Sequence, residues 1–323
     1  MPFAFTPTPL EEMPRLRAAL GPAAPRLLMT RDDLTGFAFG GNKVRALEFR
    51  MAHVLAHGYD AFVLVNIGQS NHARLHAAAC TRLGIKMVIV KPGAKQEVAQ
   101  GNLLLDRMVG VEIVETGTTD PVALEQALDS VLADLRRRGH KPFASTREPF
   151  SELAGTIAYT EAAIELTEQL QAAGVERAEI FLVGGTSAAG LALGGKLLGS
   201  PYRVQLISVG GSAEALRART IRLTARVADI LEVAPVITPD DFEVSDDYVG
   251  ARYADVTPAV REAIRLAART DAIFLDPVYT GKSMAGLLGE IRKGRLTAEQ
   301  TAVFVHTGGL PIIFAYSDLL KDL

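Results

Sequence analysis

The sequence predicts an α/β fold of two open, mostly parallel sheets flanked by helices, arranged as a large and a small domain with a ligand cleft between them. Three observations predict it. Short apolar runs with few polar interruptions alternate with longer stretches of helical period, which is the pattern of strands buried on both faces and of the helices that cover them. At 323 residues the chain has the length at which one hydrophobic core tends to divide into two. The periodic pattern then breaks around Arg138 to Phe150, where charged residues and two prolines intervene, so a domain junction is expected there. The expected division is 1–46 plus 156–323 for the large domain and 47–155 for the small one.

Taken in order, Phe3 to Leu28 mixes prolines and leucines without a period and is expected to wrap over a neighbouring surface before a short strand at Arg26 to Met29. Strands are then predicted at Ala61 to Val65, Met87 to Val90, Val111 to Val114, Ile180 to Val183, Val204 to Val209, Ile273 to Leu275 and Ala302 to Val305. Between them, helical spacing predicts helices at Val44 to Ala56, Asn71 to Leu83, Ala99 to Met108, Pro121 to Arg137, Glu152 to Gln171, Ser187 to Leu198, Ala213 to Ala228, Pro258 to Arg269, Gly281 to Lys293 and Pro311 to Leu320. Ligands of such sheets lie beyond the carboxyl ends of the strands, which directs attention to the loops that follow them.

Composition narrows the function classes. The 34 basic and 37 acidic residues nearly cancel, giving a net charge of −3, so neither a nucleic-acid nor a membrane-surface partner is expected. The first residues lack a signal-peptide pattern and no apolar run has the length to cross a bilayer, which predicts a cytoplasmic protein. The single cysteine, Cys80, cannot form an intrachain disulfide and reads as a buried structural thiol. No Cys-x-x-Cys arrangement is present, and the His72/His76 pair at i, i+4 spacing lacks an acidic third ligand nearby, so no metal is expected.

Four places in the chain could carry chemistry. Gly40-Gly41-Asn42-Lys43 hands an irregular segment over to a helix. Its glycines permit a tight turn and close approach of a ligand to the backbone, and partial burial of Lys43 would free its amine as a nucleophile; a glycine turn with a solvated lysine fits the same residues. Gln69-Ser70-Asn71-His72 falls where a strand ends and a helix begins, so hydroxyl, amide and helix N–H groups can converge on a carboxylate or can form an ordinary N-cap. Gly184-Gly185-Thr186-Ser187-Ala188-Ala189-Gly190 follows a buried strand and suits a phosphate monoester at a helix N-terminus; without the Gly-Lys-Ser/Thr ending it is no nucleotide-hydrolysing loop. The fourth place is a pair of loops, Asp276-Pro277-Val278-Tyr279-Thr280-Gly281-Lys282 and His306-Thr307-Gly308-Gly309, where Tyr279 can act as a proton donor or acceptor.

Together with Pro7-Thr8-Pro9-Leu10, these motifs occur in the order in which they resemble the pyridoxal-phosphate (PLP) enzymes of the tryptophan-synthase-β-like fold (fold type II), and among them the group of D-cysteine desulfhydrase and 1-aminocyclopropane-1-carboxylate (ACC) deaminase. The resemblance implies that PLP sits in the cleft between the domains, that Lys43 forms the Schiff base, and that Asn71 lies beside the phenolic oxygen. It also implies that Gly184 to Gly190, with Ser187, holds the phosphate, that Thr280 lies at the pyridine nitrogen with Thr307 also on the cofactor, and that Gln69, Ser70, Asn71 and His72 bind substrate. Ser70, Tyr253 and Tyr279 are the implied catalytic partners of Lys43, and a homodimer is implied.

Where the deaminase resembles a Tyr-Glu pair and a His-Leu pair, this chain has Thr280 and Thr307, as the desulfhydrase does. A neutral Thr280 holds no pyridinium proton, so the ring is a weaker electron sink, which favours expulsion of a good leaving group from Cβ over opening a cyclopropane. D-cysteine is therefore the first substrate expected, with L-cysteate, another β-substituted alanine, racemisation, ACC or catalytically silent PLP binding as alternatives. The stretch Ser145 to Gly155, Leu75 and the surroundings of Tyr253 depart from the family pattern, and Arg147 or Arg252 could receive an acidic substituent.

Overall fold

The computed structural model describes residues 2–94, 98–234 and 237–322. In chain order the elements are β1 (Leu10–Glu12), α1 (Pro14–Leu20), β2 (Arg26–Thr30), α2 (Lys43–Ala56), β3 (Ala61–Val65), α3 (Asn71–Leu83), β4 (Lys86–Lys91), α4 (Gly101–Met108), β5 (Glu112–Glu115), α5 (Pro121–Arg137), β6 (Pro142–Ala144) and α6 (Pro149–Ala172). There follow β7 (Ala178–Val183), α7 (Thr186–Leu198), β8 (Tyr202–Ile207), α8 (Ala213–Ile230), β9 (Phe242–Ser245), α9 (Pro258–Asp271), α10 (Thr280–Arg292), β10 (Thr301–Val305), α11 (Leu310–Ala315) and α12 (Ser317–Leu320). The strands form a mixed sheet in the order β1-β2-β10-β7-β8-β9, antiparallel only at β1, and a wholly parallel sheet in the order β5-β4-β3-β6.

Alternation along the strands explains why both sheets are covered on two faces. Ile180 and Leu182 of β7, Val204 and Leu206 of β8 and Val303 and Val305 of β10 enter one core, while Phe181, Ile207, Ala302 and Phe304 enter another. The smaller sheet repeats the scheme, with Phe62, Leu64, Met87 and Ile89 on one side and Ala61, Val63, Val88 and Val90 on the other. Such strands have no polar face, which is why they read as unbroken apolar runs. Helix starts follow local chemistry: Ser70, Asp120, Ser212 and Thr257 each accept a backbone N–H three residues on, satisfying one of the otherwise orphaned donors of the first turn.

Several expectations need correction. Ile273 to Leu275 forms no strand, because β10 already has β2 on one side and β7 on the other and leaves no free edge in that part of the sheet. The segment instead buries Ile273 and Leu275 in the core and accepts His306 Nε2 on the Phe274 carbonyl at 3.0 Å. The helix expected at Pro311 to Leu320 is two helices, since Tyr316 leaves helical dihedrals at φ −117°, ψ 19°. The stretch Phe3 to Leu28 contains β1 and α1, and the break between Arg138 and Phe150 contains the edge strand β6 and the first residues of α6. Strand β8 stops at Ile207, where Ser208 turns its hydroxyl onto the Gly210 and Gly211 carbonyls.

Because β7 and β10 are parallel neighbours in register, the loops that leave them, Gly184 to Thr186 and His306 to Gly309, emerge at the same sheet edge. There they meet the start of α2.

Candidate active site

Lys43 is the first residue of α2, and the backbone before it is built to hold it still. Ala38, Phe39, Gly40 and Gly41 have successive φ values of 45°, 69°, 60° and 114°, a run of left-handed residues that two non-glycines adopt only under constraint from their surroundings. That constraint is visible: Gly41 N–H donates to Thr35 Oγ1 at 2.9 Å, Arg74 Nη2 donates to the Gly40 carbonyl at 2.9 Å, and Asn42 N–H donates to the Thr307 carbonyl at 3.1 Å. The last of these joins the lysine turn to the loop after β10. A side chain at Gly308 would come within 2.7 Å of the Gly41 Cα, so glycine there lets the two loops touch.

Lys43 is half-buried, its Nζ 3.3 Å from Asn42 Oδ1 and 5.5 Å from the centre of the Tyr279 ring. Burial lowers its pKa to about 8, opposed by Asp276 and reinforced by Arg74 and Arg50. A free amine is therefore accessible near neutral pH. Tyr279 stands at the N-cap of α10, fixed by Asp276, whose Oδ1 accepts the backbone N–H of Val278 at 2.9 Å and of Tyr279 at 2.8 Å. The Tyr279 and Tyr253 hydroxyls are 2.5 Å apart, and burial holds both phenols above their ordinary pKa, so both stay protonated.

A pocket of about 270 Å³ is lined by Lys43, Asn71, Tyr279, Thr307 and the loop Gly184 to Ser187. Helix α7 begins there with Gly185 as N-cap and no side-chain cap on its first N–H groups, which leaves those donors for an anion. Asn42 Nδ2 reaches Ser187 Oγ at 2.9 Å. Ala188, Ala189 and Gly190 lie deeper, buried in the first turns of α7, and a side chain at Gly190 would strike the Thr156 carbonyl at 2.4 Å; their contribution is close helix packing.

At the start of α3, Ser70 Oγ accepts Ala73 N–H at 3.2 Å, leaving its own proton available, and Asn71 Oδ1 accepts Asn102 Nδ2 at 3.0 Å, so the Asn71 amide nitrogen is free to donate. His72 is half-buried, and burial together with His76, Arg50 and Lys43 drives its pKa well down. Gln69 turns away, bonding the Gln100 carbonyl at 2.8 Å and the Asn102 N–H at 3.1 Å. Thr280 is fully buried and its hydroxyl donates to Asp276 Oδ2 at 2.7 Å; it does not line the pocket, whereas Thr307 does. Asn42, Asp276 and Asn102 act on this site without having been singled out. Asn42 and Asp276 sit inside the quoted motifs, and their side chains became informative only once their partners were known.

An amine of lowered pKa, an uncapped helix N-terminus lined by small residues, and an amide donor on the opposite wall fit a cofactor with an aldehyde, a phosphate and a phenolic oxygen. The protein class follows from the fold and this site: a PLP-dependent enzyme of fold type II. Residues 2–308 match the family model described as pyridoxal-phosphate dependent enzyme, and the chain belongs to that family, in its D-cysteine desulfhydrase/ACC deaminase branch. It is 32% identical over 328 residues to the 1-aminocyclopropane-1-carboxylate deaminase of Ralstonia nicotianae, covering 99% of this chain and 97% of the relative. The corresponding protein of a Methylobacterium species is 31% identical over 330 residues, with coverage of 99% and 97%. A crystal structure of an ACC deaminase homologue superposes with a TM-score of 0.86 at 31% identity, covering 99% of this chain and 94% of the other. A PLP-dependent aspartate racemase, at 17% identity and TM-score 0.64, shares the fold. No metal-ligand cluster occurs among the described residues, and no helix among them is long and apolar enough to cross a membrane.

Proposed function

We propose that the chain is a lyase that eliminates the Cβ substituent of a small amino acid to give pyruvate and ammonia, with D-cysteine and other β-substituted alanines as the substrates to test. The observation that carries this reading is the opposition, across one cleft, of the Lys43 amine and the hydrogen-bonded pair Tyr279 and Tyr253. Bound PLP supplies an electron sink for the pair of electrons left at Cα. Lys43 would carry the cofactor and, once released from it, take the Cα proton at Nζ. The substrate carboxylate would be received by the Ser70 hydroxyl and the N–H groups that open α3, with the phosphate on Gly184 to Ser187. Tyr279, its hydroxyl poised by Tyr253, would deliver a proton to the departing group or to the carbon it leaves.

Thr280 supports elimination over ring opening only by what it withholds, since it lies outside the pocket, bonded to Asp276, and brings no carboxylate to the cofactor. It is neutral, and the nearby Asp276 carboxylate is occupied by four donors, the backbone N–H groups of Val278, Tyr279 and Thr280 and the Thr280 hydroxyl. The relatives' names favour the second reading, ACC deamination. Product assays on the PLP-loaded protein with D-cysteine, L-cysteate and ACC separate the two. Pyruvate from a β-substituted alanine supports the first, while 2-oxobutyrate from ACC, with no pyruvate from the others, overturns it.

A further inference from the structure

A second cleft, of about 640 Å³, opens from the same lysine. It shares Lys43, Thr186 and Arg219 with the glycine-loop pocket and extends past His72 to the end of β6, where Ser145 and Ser151 form its far wall. On that wall lies Arg50, about two turns along α2 from Lys43 and 5% exposed. Among the described residues no carboxylate lies within ion-pair distance of it. Its Nη1 donates to His76 Nε2 at 2.8 Å, its Nη2 donates to the Ser151 carbonyl, and its Nε, though buried, has no acceptor. His76 cannot neutralise it: His76 Nδ1 lies 2.7 Å from the His72 carbonyl, so the ring proton is on Nδ1 and Nε2 is the lone-pair acceptor. Arg50 is therefore a buried charge held by neutral groups alone, an arrangement proteins otherwise avoid.

The other charges of this cleft are arranged differently. Arg147 lines it but is spent on Asp129 at 2.7 Å and Glu125 at 2.5 Å, and Arg219 is bonded to Glu152 at 3.1 Å. Glu148 also lines the cleft, near the half-exposed His53, whose pKa burial and His57 lower against the opposing pull of Glu148, and Arg226 lines it as well. The deep end thus carries an uncompensated positive charge with hydroxyls from Ser145 and Ser151 beside it, themselves 2.6 Å apart.

We infer that Arg50, with the Ser145 and Ser151 hydroxyls, receives an anionic group on the substrate's side chain, so that the enzyme selects amino acids bearing a second acid on or near Cβ, sulfonates and phosphate or sulfate esters being the class that can also leave. This rests on the PLP-lyase reading above and names the substrate class of that site. The α-carboxylate is left to Ser70 and the start of α3, and Arg50 discriminates by the far end. For cysteate the balance is simple. The Cα–H bond is broken with its proton going to Lys43, the Cβ–S bond breaks with its electron pair leaving on sulfur, Cβ gains a proton, and water replaces nitrogen, so that cysteate and one water give pyruvate, hydrogen sulfite and ammonium without any oxidant.

The test titrates PLP-loaded protein with D- and L-cysteate and with D- and L-serine, following the cofactor's visible absorption. Cysteate of one hand should bind about tenfold or more tightly than serine of the same hand, the scale of a hydrogen-bonded charge contact, and Arg50→Met should abolish the difference while leaving serine unchanged. In wild-type protein methanesulfonate should compete with cysteate and not with serine, a comparison that needs no variant. Calorimetric titration of methanesulfonate into wild type and Arg50→Met gives a readout independent of the cofactor. Equal affinity for cysteate and serine overturns the inference, as does an equal loss for both in Arg50→Met, which would assign Arg50 to the α-carboxylate, or methanesulfonate binding that survives the substitution. Absence of any cofactor absorption after PLP addition would instead refute the enzyme reading, while calorimetry still decides the anion site.

Discussion

Helix α2 carries two buried arginines five residues apart, and they live in opposite surroundings. Arg45 lies between the helix and the larger sheet, its Nη2 3.0 Å from Asp32 Oδ1 and 2.9 Å from Glu165 Oε1, its Nη1 3.0 Å from Glu165 Oε2. Thr8 and Tyr159 complete that network by donating to Asp32. Arg50 faces the cleft with no carboxylate within ion-pair distance among the described residues, its partners being His76 and the Ser151 carbonyl. The consequence appears in their protonation: Asp32 and Glu165 outweigh burial and hold Arg45 above its ordinary pKa, whereas burial alone lowers Arg50 to about 10. A charge that the protein itself balances belongs to the scaffold. One that it leaves unbalanced beside a cleft is available to a ligand.

The contrast can be broken or sharpened by substitution. Arg45→Met strands Asp32 and Glu165 in the interior and should cost about 3–5 kcal/mol of unfolding free energy, the scale for breaking a buried ion pair; denaturant melts measure it, and an unchanged midpoint would mean that the network is not structural. Next in size, Tyr279→Phe should lower kcat roughly a hundredfold by removing the proton donor, with Tyr253→Phe, which is 42% exposed, losing less. Equal wild-type rates in both would remove the pair from the chemistry.

A pH profile comes third. In cofactor-free protein the rate of PLP attachment should rise with pH up to about 8 and then level, because the Lys43 pKa is lowered to about 8 from 10.5. For the same reason the unfolded chain binds more protons than the folded one between those values, so the Lys43 contribution makes the cofactor-free protein more stable as pH rises across that window. A rate that keeps climbing past pH 10 would indicate an unperturbed lysine. Arg50→Met should change stability least, by about 1 kcal/mol or less, since the lost His76 hydrogen bond is offset by relief of an unpaired charge. A loss as large as that of Arg45→Met would make the two arginines alike and erase the distinction.

The same pair marks how far the residues alone could be read. Strands whose alternate residues enter separate cores, such as Ile180 and Phe181, are apolar throughout and were legible as buried strands. Strands β6 and β9, at three and four residues, are too short to show a period, and Ile273 to Leu275 is apolar for core packing, not for sheet pairing. Lys43 and the Gly184 to Ser187 loop were singled out because several motifs occur together and in family order; alone, the glycine turn before Lys43 fits a solvated lysine equally well. Arg50 was not, because an arginine on an amphipathic helix reads as solvent-facing until the fold reveals what covers it. Thr280 was expected at the cofactor on motif grounds, yet its hydroxyl is committed to Asp276, a pairing that spacing alone does not disclose.

The central claim is that Lys43 carries the cofactor in this cleft, and borohydride reduction of the PLP-loaded protein followed by peptide mass spectrometry tests it most directly. The account predicts a phosphopyridoxyl group on the peptide containing Gly40-Gly41-Asn42-Lys43, absent from a Lys43→Ala variant that folds with the same circular dichroism spectrum. A modification on any other lysine, such as the buried Lys282, or a stoichiometric adduct that persists in Lys43→Ala, would contradict it.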